Sequence, residues 1–230
     1  MQKLTQRIAK IISNAGICSR RDAETLIISG KVKIDGVTII SPATLVTKEN
    51  KIEVSGQLIQ QNHAPRLWLY HKPVGLITTH KDTHSRATIF ENLPKDLPRV
   101  ISIGRLDLNS EGLLLLTNNG DLARSFELPS SNIERVYKVR AYGDPKSLLK
   151  NYENITIDGM HYNPHSIILT QTNGNNSWFE VILTEGKNRE IRKIFDYFHL
   201  AVNRLIRIKY GEFILGDLKP NQCEEVNLRK

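Results

Sequence analysis

Four consecutive leucines, Leu113 to Leu116, constrain this chain more than any other feature. They stand in IGRLDLNSEGLLLLTNNGDLA, between Gly112 and the turn-forming run Asn118-Asn119-Gly120. A short unbroken apolar run bounded by turn residues reads as a strand inside a core, because successive strand side chains point to opposite faces. Arg105 and Asp107 sit at the mouth of that run. A charge there costs free energy unless something pairs with it. Either Asp107 is an ordinary turn residue, or the fold keeps a carboxylate ready for chemistry.

The segments around the leucine strand mix strands and helices without a regular βαβ repeat. RLWLYHKPVGLITT reads as a strand, a Pro-Gly turn and another strand, and NNGDLARSFEL as a turn feeding a short helix. ERVYKVRAYG and SWFEVILTEG read as strands. A helix is expected from about Asn188 to Phe198, with Ile191, Ile194, Phe195 and Phe198 on one apolar face. This pattern predicts an α+β domain with a mainly antiparallel mixed sheet flanked by helices.

The first 60 residues form a separate unit. Ile8, Ile11, Ile12 and Ala15 recur at helical spacing before Gly16, so the N-terminal stretch is read as a folded helix and not as a leader. Ser19 and Asp22 resemble a capping box for a second helix carrying Ala23, Leu26 and Ile27, which stops at Gly30. KVKIDGVTI is a hairpin signal around Asp35-Gly36, and a further strand is expected near Lys51 to Val54. Ser55 to Pro65 is polar, contains Gly and Pro, and reads as a linker. The domains expected are 1–60, a linker at 61–66, and 67–230.

Charge narrows the partners. The chain carries a formal net charge of +8 and a pI near 9.5, which favours a polyanionic partner. Residues 1–60 hold nine Lys and Arg, Lys3 among them, against five Asp and Glu. Arg20 and Arg21 lie where the second helix begins, an end whose dipole favours anions, so a bound phosphate explains them better than the helix does.

Several chemistries fall away. There is no GxGxxG or GxxxxGK motif and no Gly-x-Ser-x-Gly elbow. His80 with His84, and His161 with His165, are spaced by four but lack helical context, so no metal centre is expected. Cys18 and Cys223 are far apart and read as reduced thiols of a cytosolic protein. No apolar run is long enough for a bilayer, so no membrane partner is expected. An Asp, a Tyr and an Arg remain, each at or near the end of an element: Asp107, Tyr137, and Arg189 or Arg192. Arg189 and Arg192 are three apart and would share a helix face.

GRLDLNSEGLLLLTNNGDLA resembles the signature of the RsuA/RluB family of ribosomal RNA pseudouridine synthases, G-R-L-D-x-x-T-x-G-L-L. YHKPVGLITT before it agrees, as do ERVYKV and EGKNREIRKIF…VNRLIRIKYGEF after it. QRIAKIISNAGICSRRDAETLIISGKVKIDG resembles the S4 RNA-binding domain, and RATIFENLP with RLIRIKYG leans toward the large-subunit branch. Two positions depart from the family: Ser110 stands where Thr is usual, and Glu190 where Gln is usual, an acid placed to compete with Asp107 for an arginine or to restrain it.

The resemblance implies an enzyme that isomerises uridine to pseudouridine, expected in 23S rRNA, without a cofactor. It makes Asp107 the nucleophile and gives Arg192 the role of keeping that carboxylate ionised when desolvated. Tyr137 then packs on the uracil, and Leu205 walls its pocket. Arg105 enters the RNA stack as the base flips, and Arg20, Arg21, Lys31, Lys33, Lys187 and Arg189 contact RNA, with Arg204 and Arg207 as weaker candidates. The partner is ribosomal RNA or a ribosomal precursor particle, the place the cytoplasm, and the oligomeric state a monomer. The alternatives are the same reaction on 16S rRNA, or a catalytically inactive S4-domain protein that binds rRNA during assembly. A glycoside hydrolase needs a second carboxylate, and Glu111 reads as a surface residue of a turn.

Overall fold

The structure is a computed structural model that describes residues 5–61 and 64–228. Lys3 and two residues of the expected linker, 62 and 63, lie outside the described residues. The chain divides into two compact units, the smaller built mainly from residues up to Arg66 and the larger from the remainder.

In the smaller unit, the helix Ile8–Asn14 buries Ile8, Ala9, Ile11 and Ile12, and Gly16 turns the chain away at φ 79°. Ser19 caps the helix Arg20–Ile28: its Oγ accepts from the Asp22 N–H at 3.1 Å, and its hydroxyl donates to the Asp22 carboxylate at 2.7 Å. Removing this cap by Ser19→Ala is expected to cost about 1 kcal/mol, read as a lower urea midpoint with an unchanged slope. Ala23 and Ile27 face the core together with Val32, Ile52 and Val54.

The four-stranded sheet runs Val37–Ile39, Val32–Ile34, Ile52–Val54, Gln57–Leu58, all antiparallel. Its first turn, Asp35-Gly36, has φ 49° and 83°, the mirror-image geometry that matches strand twist. The Asp35 carboxylate accepts from the Lys51 N–H at 2.8 Å and from Asn50 at 2.7 Å, which holds its pKa below the ordinary value. The segment from Ser55, expected as a linker, begins instead as part of the sheet. Ser55-Gly56 makes a second turn of the same kind, Gln57 and Leu58 pair with Val54 and Glu53, and Ile59 is buried. Polar composition hid a hairpin whose only turn signal was Ser-Gly.

The larger unit is built on a nine-stranded sheet. Its path runs Ser166–Asn173, Asn176–Leu183, Arg135–Tyr142, Ala201–Tyr210, Glu111–Thr117, Leu67–Lys72, Cys223–Val226. Two short strands pair off this path, Phe213–Ile214 and Ile101–Ile103. Neighbours along the path are antiparallel except where Glu111–Thr117 meets Ala201–Tyr210, which run parallel. The protein is therefore α+β with a mainly antiparallel sheet, as its pattern led one to expect.

All four leucines are fully buried at an interior position of the sheet, which explains an apolar run with no alternation. The parallel contact depends on Gly112: at φ 105°, a Cβ there would lie 2.3 Å from the Arg207 carbonyl oxygen. The helix Glu190–Tyr197 buries Ile191, Ile194 and Phe195, with Phe195 edge-on to Phe179 at 5.1 Å. The second strand expected in RLWLYHKPVGLITT is not formed. After Leu67–Lys72 and the turn at Gly75, Ile77 makes a single bridge to Thr88, and the Thr78 hydroxyl donates to the Leu106 carbonyl instead of facing a partner strand. No helix among the described residues is long and apolar enough to cross a membrane.

Candidate active site

The loop Gly104 to Ser110 delivers Asp107 to a cavity of about 860 Å³ in the larger unit. Nearly every residue of that loop is fastened through its backbone. The Gly104 N–H donates to Glu127 Oε1 at 2.6 Å. Thr78 Oγ1 donates to the Leu106 carbonyl at 3.0 Å, and Gly75 donates to the Leu108 carbonyl at 2.9 Å. Asp107 and Ser110 close a turn, with Ser110 N–H on the Asp107 carbonyl at 3.0 Å. Arg192 Nη2 donates to the Asn109 carbonyl at 2.7 Å, and its Nη1 donates to Val202 at 3.0 Å.

The strongest clamp is Lys72, which the sequence offered only as a lysine ending an apolar strand before a proline. It is fully buried, and its Nζ donates to the carbonyls of Pro73, Asp107 and Ser110 at 2.9, 3.0 and 2.8 Å. Burial pulls its pKa down to about 8, while the charges of Asp107 and Glu111 pull it back up. Three carbonyls around one ammonium fix the turn and leave the Asp107 side chain, 35% exposed, free to face the cavity.

Tyr137 and Leu205 line the same cavity, and both are nearly buried. Tyr137 lies between Val181 and Arg207 in register, so the strand pairings carry it to the same sheet face as the Arg207 side chain. Arg105 also lines the cavity; it is exposed and forms no ion pair among the described residues.

The cations are distributed differently from the expectation. Arg189 does not share a helix face with Arg192, because it sits ahead of the helix as its N-cap, at φ 52° and ψ 32°. The guanidinium at ion-pair distance from Asp107 is that of Arg189, 4.0 Å from Nη1 to Oδ2. Arg192 binds carbonyls instead; burial and the charge of Arg189 lower its pKa, against the opposing effect of Asp107.

Glu190 does not compete for either arginine: it is buried, and its carboxylate accepts from the Lys187 N–H at 3.1 Å. Lys187 is occupied, donating to the His161 carbonyl at 2.7 Å, pairing with Glu185 and lying 5.6 Å from the centre of the Tyr162 ring. Arg207 is buried, and its Nε donates to the Leu113 carbonyl at 2.7 Å. It packs 5.1 Å from the centre of the Tyr210 ring, so it is no surface contact for phosphate. Arg204 pairs with Glu111 at 2.6 Å, and Glu111 opens the leucine strand instead of capping a turn at the surface. Arg20, Arg21, Lys31 and Lys33 are exposed on the smaller unit.

The family model described as RNA pseudouridylate synthase matches residues 66–197, and the S4 domain model matches residues 6–52. A protein of Rickettsia felis, named an uncharacterized RNA pseudouridine synthase, is 69% identical over 223 residues, covering 96% of this chain and 97% of its own. The ribosomal large subunit pseudouridine synthase B of Buchnera aphidicola subsp. Schizaphis graminum is 38% identical, covering 97% and 91%. Its counterpart from Buchnera aphidicola subsp. Baizongia pistaciae is 41% identical, covering 98% and 100%. A solved pseudouridylate synthase shares the fold at a TM-score of 0.66 and 22% identity, over 96% of both chains.

Proposed function

The chain belongs to the RNA pseudouridylate synthase family, and on that premise we propose that it converts a uridine of large-subunit ribosomal RNA to pseudouridine with Asp107 as nucleophile. The observation that carries the assignment is the loop Gly104 to Ser110, pinned through its backbone so that one carboxylate faces a cavity also lined by Tyr137 and Leu205. The large-subunit substrate is supported by the names of the Buchnera relatives.

The reaction breaks the bond from ribose C1′ to uracil N1 and makes one to C5. The C5 proton leaves and N1 gains one, so atoms balance without a cofactor. Asp107 attacks, while Tyr137 and Leu205 bracket the uracil plane. The uridine reaches the cavity by flipping out of its stack, at a cost of a few kcal/mol. Arg105, exposed and without an ion pair among the described residues, is placed to fill the gap. Arg192 acts through the Asn109 carbonyl, holding the loop rather than the carboxylate. We assign residues 1–60 to the S4 domain and 67–230 to catalysis, with Arg20, Arg21, Lys31 and Lys33 contacting phosphate, in a cytoplasmic monomer that docks rRNA or a precursor particle.

The test uses a large-subunit rRNA transcript tritiated at uracil C5. Release of label on incubation with the purified protein is the expected result. If neither naked rRNA nor precursor particles release label while RNA binding persists, the catalytic assignment fails and an RNA-binding assembly role takes its place.

A further inference from the structure

Glu190 is buried, 4% exposed at the first position of its helix. Its Oε2 accepts from the Lys187 N–H at 3.1 Å, and its own N–H donates to the Lys187 carbonyl at 3.3 Å. The turn from Lys187 to Glu190 is thus closed on itself twice. Within it, Arg189 is held at φ 52°, a left-handed conformation that costs a residue bearing Cβ about 1 kcal/mol or more.

The turn is anchored from outside as well. The Lys187 ammonium donates to the His161 carbonyl and pairs with Glu185. Arg135 Nη1 donates to the carbonyls of Thr184 at 2.8 Å and Glu185 at 3.2 Å. From this turn the Arg189 guanidinium comes to 4.0 Å from the Asp107 carboxylate.

We propose that Glu190 is a positioning residue for the reaction: by stapling the turn, it holds Arg189 in the left-handed conformation from which its guanidinium faces Asp107. This rests on Asp107 being the reacting carboxylate. An exposed ion pair of this length contributes little stability by itself. Its value is orientation, since displacing a group at a reacting centre by about 1 Å costs up to about 10²-fold in rate. The staple needs an acceptor and not a charge. Burial raises the pKa of Glu190, opposed by the Lys187 N–H and ammonium, and a glutamine oxygen accepts the same bond.

Glu190→Ala is expected to lower kcat about tenfold on the tritiated transcript with KM unchanged, and Glu190→Gln to restore it. Arg189→Ala is expected to show a similar loss, and the double variant to lose no more than Arg189→Ala alone, because one residue acts through the other. Full kcat in Glu190→Ala, or losses that multiply in the double variant, would overturn the proposal. A second measurement needs no RNA. Hydrogen exchange at the Lys187 amide is expected to be slow in the wild type and in Glu190→Gln, and fast in Glu190→Ala. Equal exchange in all three removes the staple, whatever the RNA assay gives. Absent turnover in the wild type, with this exchange pattern intact, instead strikes the reaction assigned to Asp107.

Discussion

Asp107→Asn is expected to abolish tritium release, a loss of about 10⁴-fold or more, while RNA affinity stays within a few fold. The substitution is close to isosteric, and the backbone that presents residue 107 is held by Lys72, by Arg192 through Asn109, and by the turn to Ser110. The amide therefore occupies the position of the carboxylate and removes only its charge and nucleophilicity. Affinity is set mainly by cations on phosphate, and deleting one negative charge at the cavity does not remove any of them. Loss of release together with loss of binding would mean that the loop had moved. A normal rate in the Asn variant would refute the nucleophile assignment.

The parts of the site that were legible in the sequence are those fixed by local pattern. Leu113 to Leu116 announce a strand with both faces covered, and the alternation around Tyr137 places that side chain on the inner face. Ile191, Ile194 and Phe195 set the rotation of the helix that carries Arg192. What was not legible depends on which distant backbone a side chain meets. Arg189 and Arg192 look alike in sequence, yet one left-handed residue puts Arg189 outside the helix and toward Asp107, while Arg192 finds two carbonyls. Glu111 reads as a turn residue until Arg204, 93 positions later, is brought beside it. Ser55-Gly56 carries a weaker form of the signal in Asp35-Gly36, where the carboxylate also ties the turn to Asn50 and Lys51.

Lys72 is the extreme case of long-range dependence, and its removal is expected to have the largest effect on stability. Lys72→Met keeps most of the side-chain volume but strips three carbonyls, those of Pro73, Asp107 and Ser110, of their donor in a dry site. Relief of the buried charge offsets part of that cost, leaving a loss of about 3 kcal/mol at pH 7. The dependence on pH has a definite sign. The folded-state pKa, about 8, lies below the ordinary 10.5, so between these values the unfolded chain binds more protons than the folded one. Lys72 therefore makes the wild type more stable as pH rises through that window, by up to about 1.4 kcal/mol per pH unit. Methionine cannot titrate, so the gap between wild type and Lys72→Met is expected to widen by about 1–2 kcal/mol between pH 7.5 and pH 9.5. Urea midpoints of both proteins at the two pH values measure it. A constant gap would place the folded-state pKa of Lys72 at its ordinary value, with its ammonium hydrated rather than enclosed by the turn that carries Asp107. A gap that widens, with turnover falling in the same variant, ties the stability of that turn to the chemistry it presents.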